Sequence, residues 1–174
     1  GRCLANYFIW DGIRSIDYLI SREEVDPTRI GVAGRSGGGT QSSYIGAFDD
    51  RVKAASPECY ITNYKTLLKS RTPQDCEQNF PNALREGLDQ ADLLIARMPK
   101  PTQIRATTRD IFSFKGTKAT YHQVKKGYRA FGVPEKLDLS WDDDEHNSTV
   151  KNRQALYAFF REHLELPGDT TDQE

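Results

Sequence analysis

The sequence lacks any long apolar run. No stretch of its 174 residues approaches the roughly 18 to 20 consecutive apolar residues that a membrane-spanning helix needs. Gly1 is followed by no basic segment and apolar core of the kind found in signal peptides. We therefore expect a soluble chain, from which any export signal is absent or has been removed.

An excess of positive charge is also missing. The chain has 24 Lys and Arg residues against 25 Asp and Glu residues, which gives a formal net charge of -1. Nucleic acids and anionic membranes attract basic surfaces, because such surfaces neutralise phosphate or lipid charge. Neither class of partner is predicted.

Cysteine and histidine are scarce, with three residues of each. Cys3, Cys59 and Cys76 have neither the spacing of metal ligands nor the density of a disulfide framework. One disulfide would leave an odd thiol, and small buried residues are the simpler interpretation. We predict no metal site, and the redox compartment stays open.

What is present is a regular alternation of apolar segments. Short apolar runs predict strands, and apolar residues at helical spacing predict helices between them. We expect one domain over residues 1–166 and a polar tail over residues 167–174. The alternation favours an α/β fold with a parallel sheet and right-handed crossovers. The predicted strands are Arg29–Ala33, Val52–Ser56, Thr102–Thr107 and Glu135–Trp141, and the predicted helices are Ala5–Arg22, Gly37–Ala47, Asn63–Lys69, Leu84–Arg97, Gly116–Phe131 and Val150–Leu164.

The motif "GRSGG", Gly34 to Gly38, lies directly between a predicted strand and a predicted helix. It matches the G-x-S-x-G nucleophile elbow, in which a serine is held on a sharp, strained turn. Such a turn presses together the residues two before and two after the serine. We therefore expect that positions 34 and 38 have no room for a side chain and must be glycine. Ser36 is the candidate nucleophile.

The alternative for this stretch is a glycine-rich loop that binds phosphate. Such loops have the pattern G-x-x-x-x-G-K-[ST] or G-x-G-x-x-G. The stretch from Arg29 to Ser42 has neither the lysine nor the spacing. The elbow is therefore the favoured interpretation.

An activated serine needs a base, and three histidines are available. His122 lies inside a predicted helix, and His163 lies near the end of the last one, where the helix dipole favours a histidine. His146 follows the last predicted strand, at the edge of the sheet where Ser36 is expected. We assign the base to His146.

The third group should be a carboxylate that orients the imidazole. Asp110 follows the third predicted strand and so falls at the same edge of the sheet. The order Ser36, Asp110, His146 is the order expected of α/β-hydrolases. Four rival acids are too close in sequence to His146 to approach its ring easily: Asp142, Asp143, Asp144 and Glu145. Three others lie in the helical middle section: Asp75, Asp89 and Asp92.

With these positions in place, the chain resembles the α/β-hydrolase superfamily, and within it the acetyl xylan esterase-like and dienelactone hydrolase-like branch. The resemblance covers nearly the whole chain. It is carried by the segments "YFIWDGIRSIDYLISREEVDPTRIGVAGRSGGGTQSSYIGAFDDRVKAASPECYIT", "QDCEQN", "GLDQADLLIA", "PKPTQIRATTRDIF" and "DDDEH".

The resemblance implies serine ester hydrolysis through an acyl-enzyme, often deacetylation of carbohydrate such as xylan, with no metal or organic cofactor. The expected substrate is a small acyl ester or an acetylated saccharide, and a secreted or periplasmic location is favoured over the cytoplasm. By position, Ser36 is the nucleophile, Asp110 the acid, His146 the base and Gly37 one oxyanion amide. Candidates for substrate contact are Arg35, Tyr60, Phe112 and Trp141, although core packing is an equal alternative for the last three.

The resemblance also has one serious departure. Members of the superfamily carry several strands before the elbow, and a loop among them supplies the second oxyanion amide. Here a single predicted helix precedes Arg29, so the first strand is expected to have an unpaired edge and the second donor to come from elsewhere. Three explanations stay open: an N-terminal segment or second chain that completes the sheet, a homo-oligomer, or a minimal half-domain.

Two other functions compete with the esterase on this sequence. A serine peptidase on the same fold uses the same acyl-transfer chemistry. A scaffold or binding domain could keep the hydrolase architecture without turnover, which the missing strands would explain.

Overall fold

The computed structural model describes residues 3–70, 75 and 78–172 of the chain. Cys76 and the last two residues of the predicted tail lie outside the described residues. The described helices are α1 (Leu4–Ile20), α2 (Gly37–Phe48), α3 (Tyr64–Leu67), α4 (Gln90–Ala96), α5 (Phe114–Ala130) and α6 (Val150–His163). The strands are β1 (Ile30–Arg35), β2 (Val52–Glu58), β3 (Thr102–Thr107) and β4 (Leu137–Asp142).

The four strands form one sheet in the order β1-β2-β3-β4, and every neighbouring pair is parallel. The register aligns Ala33 with Ser56 and Arg105 with Ser140. The predicted parallel α/β sheet is confirmed. Because parallel strands share a direction, the residues that follow β1, β2, β3 and β4 all lie at one edge of the sheet.

Helices cover both faces of the sheet. Because right-handed crossovers join strands that are neighbours in sequence order, α2, α4 and α5 lie on one face, and α1 packs beside α2 there. On the other face α6 packs Phe159 and Leu164 against Ala54 of β2. The result is a three-layer arrangement.

The largest part of the core lies between the sheet and the first of these faces. Ile104 from β3, Leu94 from α4, and Val124 and Tyr128 from α5 are fully buried in it. A second cluster joins Ile16 of α1 to β1 and β2. Within the described part of the chain, β1 has β2 as its one neighbouring strand, and Ala33 in β1 is exposed. None of the described helices combines the length and the apolar character needed to cross a bilayer.

The middle section differs from the sequence-based prediction. The helix expected from Leu84 begins only at Gln90, since Gly87 has φ +77° and the amide of Leu88 bonds back to the Ala83 carbonyl in a tight turn. Asp89 then starts α4, because its side chain accepts a hydrogen bond from the Gln90 amide. The helix α3 is likewise shorter than the predicted Asn63–Lys69.

Candidate active site

Ser36 lies on the turn between β1 and α2. Its backbone has φ 59° and ψ -118°, a region that a residue with a side chain adopts only under strain. The amide of Ser36 donates to the Glu58 carbonyl at 2.9 Å, which fixes the turn to the end of β2. The amide of Gly37 opens α2 beside it, where the helix N-terminus favours negative charge. The predicted strained elbow is therefore present.

The glycines around the elbow differ in how much space a side chain would have. A Cβ at Gly34 would meet the carbonyl carbon of Gly38 at 2.5 Å, so any side chain there would clash with the backbone. A Cβ at Gly39 would meet the Glu58 carbonyl oxygen at 2.5 Å. A Cβ at Gly38 would meet nothing within 4 Å, so the expectation that Gly38 must lack a side chain is wrong. The close approach is one-sided, because the backbone of Gly38 fills the space beside Gly34.

Asp110 and His146 lie in direct contact. The Nδ1 atom of His146 is 2.8 Å from Oδ1 of Asp110, whose side chain is 2% exposed. The same carboxylate accepts the amide of Phe112 at 3.0 Å and the hydroxyl of Thr107 at 3.3 Å. These donors hold the carboxylate in place, and the carboxylate in turn fixes the ring of His146 with Nδ1 toward it. This is the arrangement in which an acid orients a histidine base.

The rival acids make other contacts. Asp143 accepts the Thr108 hydroxyl and pairs with Arg109 at 2.8 Å, and both contacts lower the pKa of its carboxyl. Asp144 accepts the amide of Glu145 at 2.7 Å. Asp89 caps α4. Of the candidate acids in the described part of the chain, Asp110 is the one recorded in contact with His146.

The loop that carries His146, residues 143–149, crosses the edge of the sheet and will be called the base loop. It contacts the turn after β3 through the Arg109 amide, which donates to the Asp144 carbonyl at 2.9 Å. It contacts β2 through the Ser148 hydroxyl, which donates to Glu58 Oε2 at 2.8 Å. It contacts β1 through Arg35, whose guanidinium donates to the His146 carbonyl at 2.8 Å. The last bond brings the backbone of the base next to the residue before Ser36.

The Glu58 side chain that binds Ser148 of the base loop also belongs to a buried ion pair. Arg105 Nη1 lies 2.9 Å from Glu58 Oε2, and both side chains are 2% exposed. The guanidinium also donates to the hydroxyl of Ser56 at 2.9 Å, and burial lowers its pKa. Neither Glu58 nor Ser148 was a candidate at the sequence level, since nothing in the sequence marks two residues 90 positions apart as neighbours.

A cysteine adjoins the acid and base, and the three residues offer ligand atoms within 4.8 Å of one another. The Cys59 thiol is buried, which raises its pKa to about 12, and the Asp110 carboxylate adds to the rise. Metal ligation needs a thiolate, whereas the raised pKa keeps the Cys59 sulfur as a neutral thiol. The donors therefore fit a neutral thiol beside an acid–base pair better than a metal site.

The four predicted substrate contacts have different surroundings. Tyr60 is 1% exposed in the main core and packs edge-on against Phe112, which fits the core-packing alternative given for it. The ring of Phe112 in turn contacts the ring of His146 at a centroid distance of 5.9 Å. Trp141 is 44% exposed at the end of β4. Arg35 contacts the base loop, as described above.

A cavity of about 250 Å³ adjoins the elbow at Gly37. Its walls come from α1, from α2 and from the segment before Phe80. Phe8 and Gln78 are not among the predicted site residues, although both lie in segments that carry the resemblance. A larger apolar cavity of about 360 Å³ lies between α2 and α4 and contains no residue of the candidate triad. The residues around the smaller cavity are Phe8, Gly37, Thr40, Gln41, Tyr44 and Gln78.

The remaining histidines lie away from this site. His163 ends α6 and packs against the ring of Phe159 at a centroid distance of 4.7 Å, and burial lowers its pKa. His122 is exposed on α5, next to Tyr121. The assignment of ordinary structural positions to both agrees with their surroundings.

Comparison with solved structures identifies the class of fold. The glucuronoyl esterase catalytic domain from Hypocrea jecorina superposes with a TM-score of 0.78 at 20% identity, over 94% of this chain and 52% of that chain. "Methylesterase BT1017" superposes with a TM-score of 0.77 at 24% identity, over 98% and 38% respectively. A carbohydrate esterase family 15 glucuronoyl esterase from Caldicellulosiruptor kristjansonii gives 0.76 at 18% identity, over 95% and 52%. The chain has an α/β-hydrolase-like fold.

Sequence comparison gives a partial match to a bacterial protein. The "Putative hydrolase YtaP" of Bacillus subtilis (strain 168) is 34% identical over 71 residues, which are 41% of this chain and 24% of that protein. No family model matches the chain. The chain thus spans about a quarter of this relative's length and about two fifths to one half of the length of the solved structures described above.

Proposed function

We propose that this chain carries the triad of a serine carboxylic ester hydrolase that acts on carbohydrate esters. Ser36 is the nucleophile, His146 the general base, Asp110 the acid that orients it, and the Gly37 amide one oxyanion donor. The observation that carries the proposal is the 2.8 Å contact between Asp110 and His146 at the sheet edge where the strained Ser36 lies.

The reaction follows from these roles. His146 Nε2 accepts the Ser36 hydroxyl proton while Oγ attacks the ester carbonyl carbon, and the Gly37 amide donates to the oxyanion that forms. The intermediate collapses as the alcohol leaves with the proton from His146. Water then gives a proton to His146 and attacks the acyl carbon. As the second intermediate collapses, the bond from Oγ to the acyl carbon breaks and His146 returns the proton to Oγ, which releases the carboxylic acid and restores Ser36. Asp110 keeps Nδ1 protonated and stabilises the imidazolium in both halves.

The substrate class is supported by the structural neighbours. Two of them are described as glucuronoyl esterases, one of these as a carbohydrate esterase, and a third is described as a methylesterase, so esterases recur among the neighbours of this fold. Carbohydrate esters are of two kinds. In an acetylated saccharide the sugar supplies the alcohol of the ester bond, and in a uronate ester it supplies the carboxylic acid. We propose a carbohydrate ester and test both arrangements, with deacetylation of xylan fragments as the first case.

A fluorophosphonate probe tests the nucleophile. We expect an adduct on Ser36 in the wild-type protein and none in Ser36→Ala, which should also lose turnover of p-nitrophenyl acetate. Ser15→Ala, on the exposed side of α1, is the control and should keep both. An unlabelled Ser36 in folded protein would favour a scaffold, whereas cleavage of chromogenic peptides in place of acetylated xylooligosaccharides and methyl glucuronate would favour a peptidase.

We also propose that another strand pairs with β1. The support is that β1 has one neighbour in the described part of the chain and that Ala33 faces solvent there. The strand belongs either to a further segment of the same protein or to another copy. Native mass spectrometry of labelled protein would distinguish these arrangements, since a second copy predicts a dimer mass.

A further inference from the structure

The side-chain amide of Gln78 lies beside the candidate oxyanion donor. A Cβ built on Gly37 would meet Nε2 of Gln78 at 3.6 Å, an ordinary contact distance. The amide nitrogen therefore borders the space that a side chain at position 37 would occupy. Gln78 and Gly37 also line the same cavity of about 250 Å³. An amide group from the segment between β2 and β3 thus lies at the start of α2.

The contacts of Gln78 determine which end of the amide is the oxygen. Thr40 Oγ1 donates to Oε1 at 2.8 Å. Nε2 lies 3.4 Å from Oδ2 of Asp75, and a carboxylate oxygen can only accept, so the nitrogen must be on that side. The Gln78 carbonyl accepts the hydroxyl of Tyr44, which ties the backbone to α2 as well. Side chain and main chain are both held against the helix that follows Ser36.

Ester hydrolysis places negative charge on the former carbonyl oxygen, and preorganised N–H donors lower the energy of that state. Backbone amides and the side-chain amides of Asn and Gln both serve in such sites. We propose that Nε2 of Gln78 is a second oxyanion donor beside the amide of Gly37. The inference rests on the proposed function, because it assigns a further role at the same serine.

Removing the amide tests this role. An oxyanion donor typically contributes about 10²–10³-fold to kcat, so Gln78→Ala should lower kcat for p-nitrophenyl acetate by a factor of this order with little change in KM. Gln78→Glu keeps the size and can still accept from Thr40, but it offers a negative charge to the oxyanion. Its kcat should fall at least as far. Circular dichroism and thermal unfolding confirm that both variants fold.

The matched control is Gln41→Ala, since Gln41 is also a glutamine on the wall of the same cavity. It should keep kcat within about threefold of wild type if only Gln78 acts on the oxyanion. A second readout is the rate at which a fluorophosphonate labels Ser36, because the phosphonyl oxygen occupies the oxyanion position. That rate should fall in Gln78→Ala and stay unchanged in Gln41→Ala.

The outcomes separate this inference from the proposed function. If wild-type Ser36 is labelled and Gln78→Ala retains kcat, the triad stands and the oxyanion role of Gln78 is overturned. A rise in KM at unchanged kcat overturns it too, because uniform substrate binding would then be what was lost. If wild-type Ser36 is never labelled, the proposed function itself fails.

Discussion

Oδ1 of Asp110 lies 2.8 Å from Nδ1 of His146, although the two residues are 36 positions apart and follow different strands. Each is placed by the end of its own strand, and the contact forms because β3 and β4 are neighbours in the sheet. We expect Asp110→Asn to lower kcat for ester hydrolysis by about 10²–10⁴-fold, since an amide opposite Nδ1 favours the wrong tautomer of the base.

Steady-state kinetics on p-nitrophenyl acetate measure this effect. Asp143→Asn is the control, because Asp143 lies on the base loop but pairs with Arg109. It should keep kcat within about twofold, as exposed ion pairs contribute little. Equal losses in both variants would mean that the loop, and not the orientation of His146, was disturbed.

The one-sided contact at the elbow predicts opposite results for two neighbouring glycines. Gly34→Ala should lower the free energy of unfolding by about 1–3 kcal/mol or more, because its Cβ would overlap the Gly38 backbone. Gly38→Ala should be neutral or stabilising by up to about 1 kcal/mol, since the added methyl group meets open space and alanine favours helix. Urea unfolding of the two variants measures both. A destabilised Gly38→Ala would contradict the geometry.

The buried ion pair predicts a large loss of stability when it is broken. Glu58→Gln should lower the free energy of unfolding by about 3 kcal/mol, because Arg105 would keep its charge in a site where both side chains are 2% exposed. The variant Glu58→Met with Arg105→Met should recover much of that loss, since no unpaired charge is left. Chemical denaturation compares them. Failure of the double variant to recover stability would show that the bond from Ser148 to Glu58 matters more than the charge balance.

The lowered pKa of His163 predicts an acid-sensitive fold. Burial is its main cause, with nearby Lys136 adding to it, while Glu162, Asp138 and Glu135 act in the opposite direction. The folded protein therefore holds fewer protons than the unfolded chain near the usual histidine pKa of about 6.5, so stability from this group is present above that pH and is lost as pH falls toward the lowered pKa.

We expect Tm to fall less steeply between about pH 7.5 and about pH 5.5 in His163→Gln than in wild type. His122→Gln is the control, because His122 is exposed on α5. Differential scanning fluorimetry at several pH values gives the slopes. Identical slopes in wild type and His163→Gln would rule out His163 as the source.

Much of this arrangement could be predicted from the sequence, because it depends on local patterns. The four strands and the elbow at Ser36 follow from short apolar runs and a five-residue motif, and Asp110 and His146 from their positions after strands. The start of α4 was missed because a positive φ at Gly87 overrides the apolar periodicity. The roles of Gln78 and Glu58 could not be assigned from the sequence, since they depend on contacts between distant segments that no local pattern encodes.

The base loop starts from β4, at one side of the sheet, and reaches Arg35 of β1 at the other; on the way it contacts the turn that follows β3 and the last residue of β2. The position of His146 therefore depends on the spacing of all four strands at once. A displacement of either outer strand should alter turnover before it unfolds the core. Turnover would then report small changes in the spacing of the strands. Variants far from Ser36 could be ranked by how much they disturb that spacing.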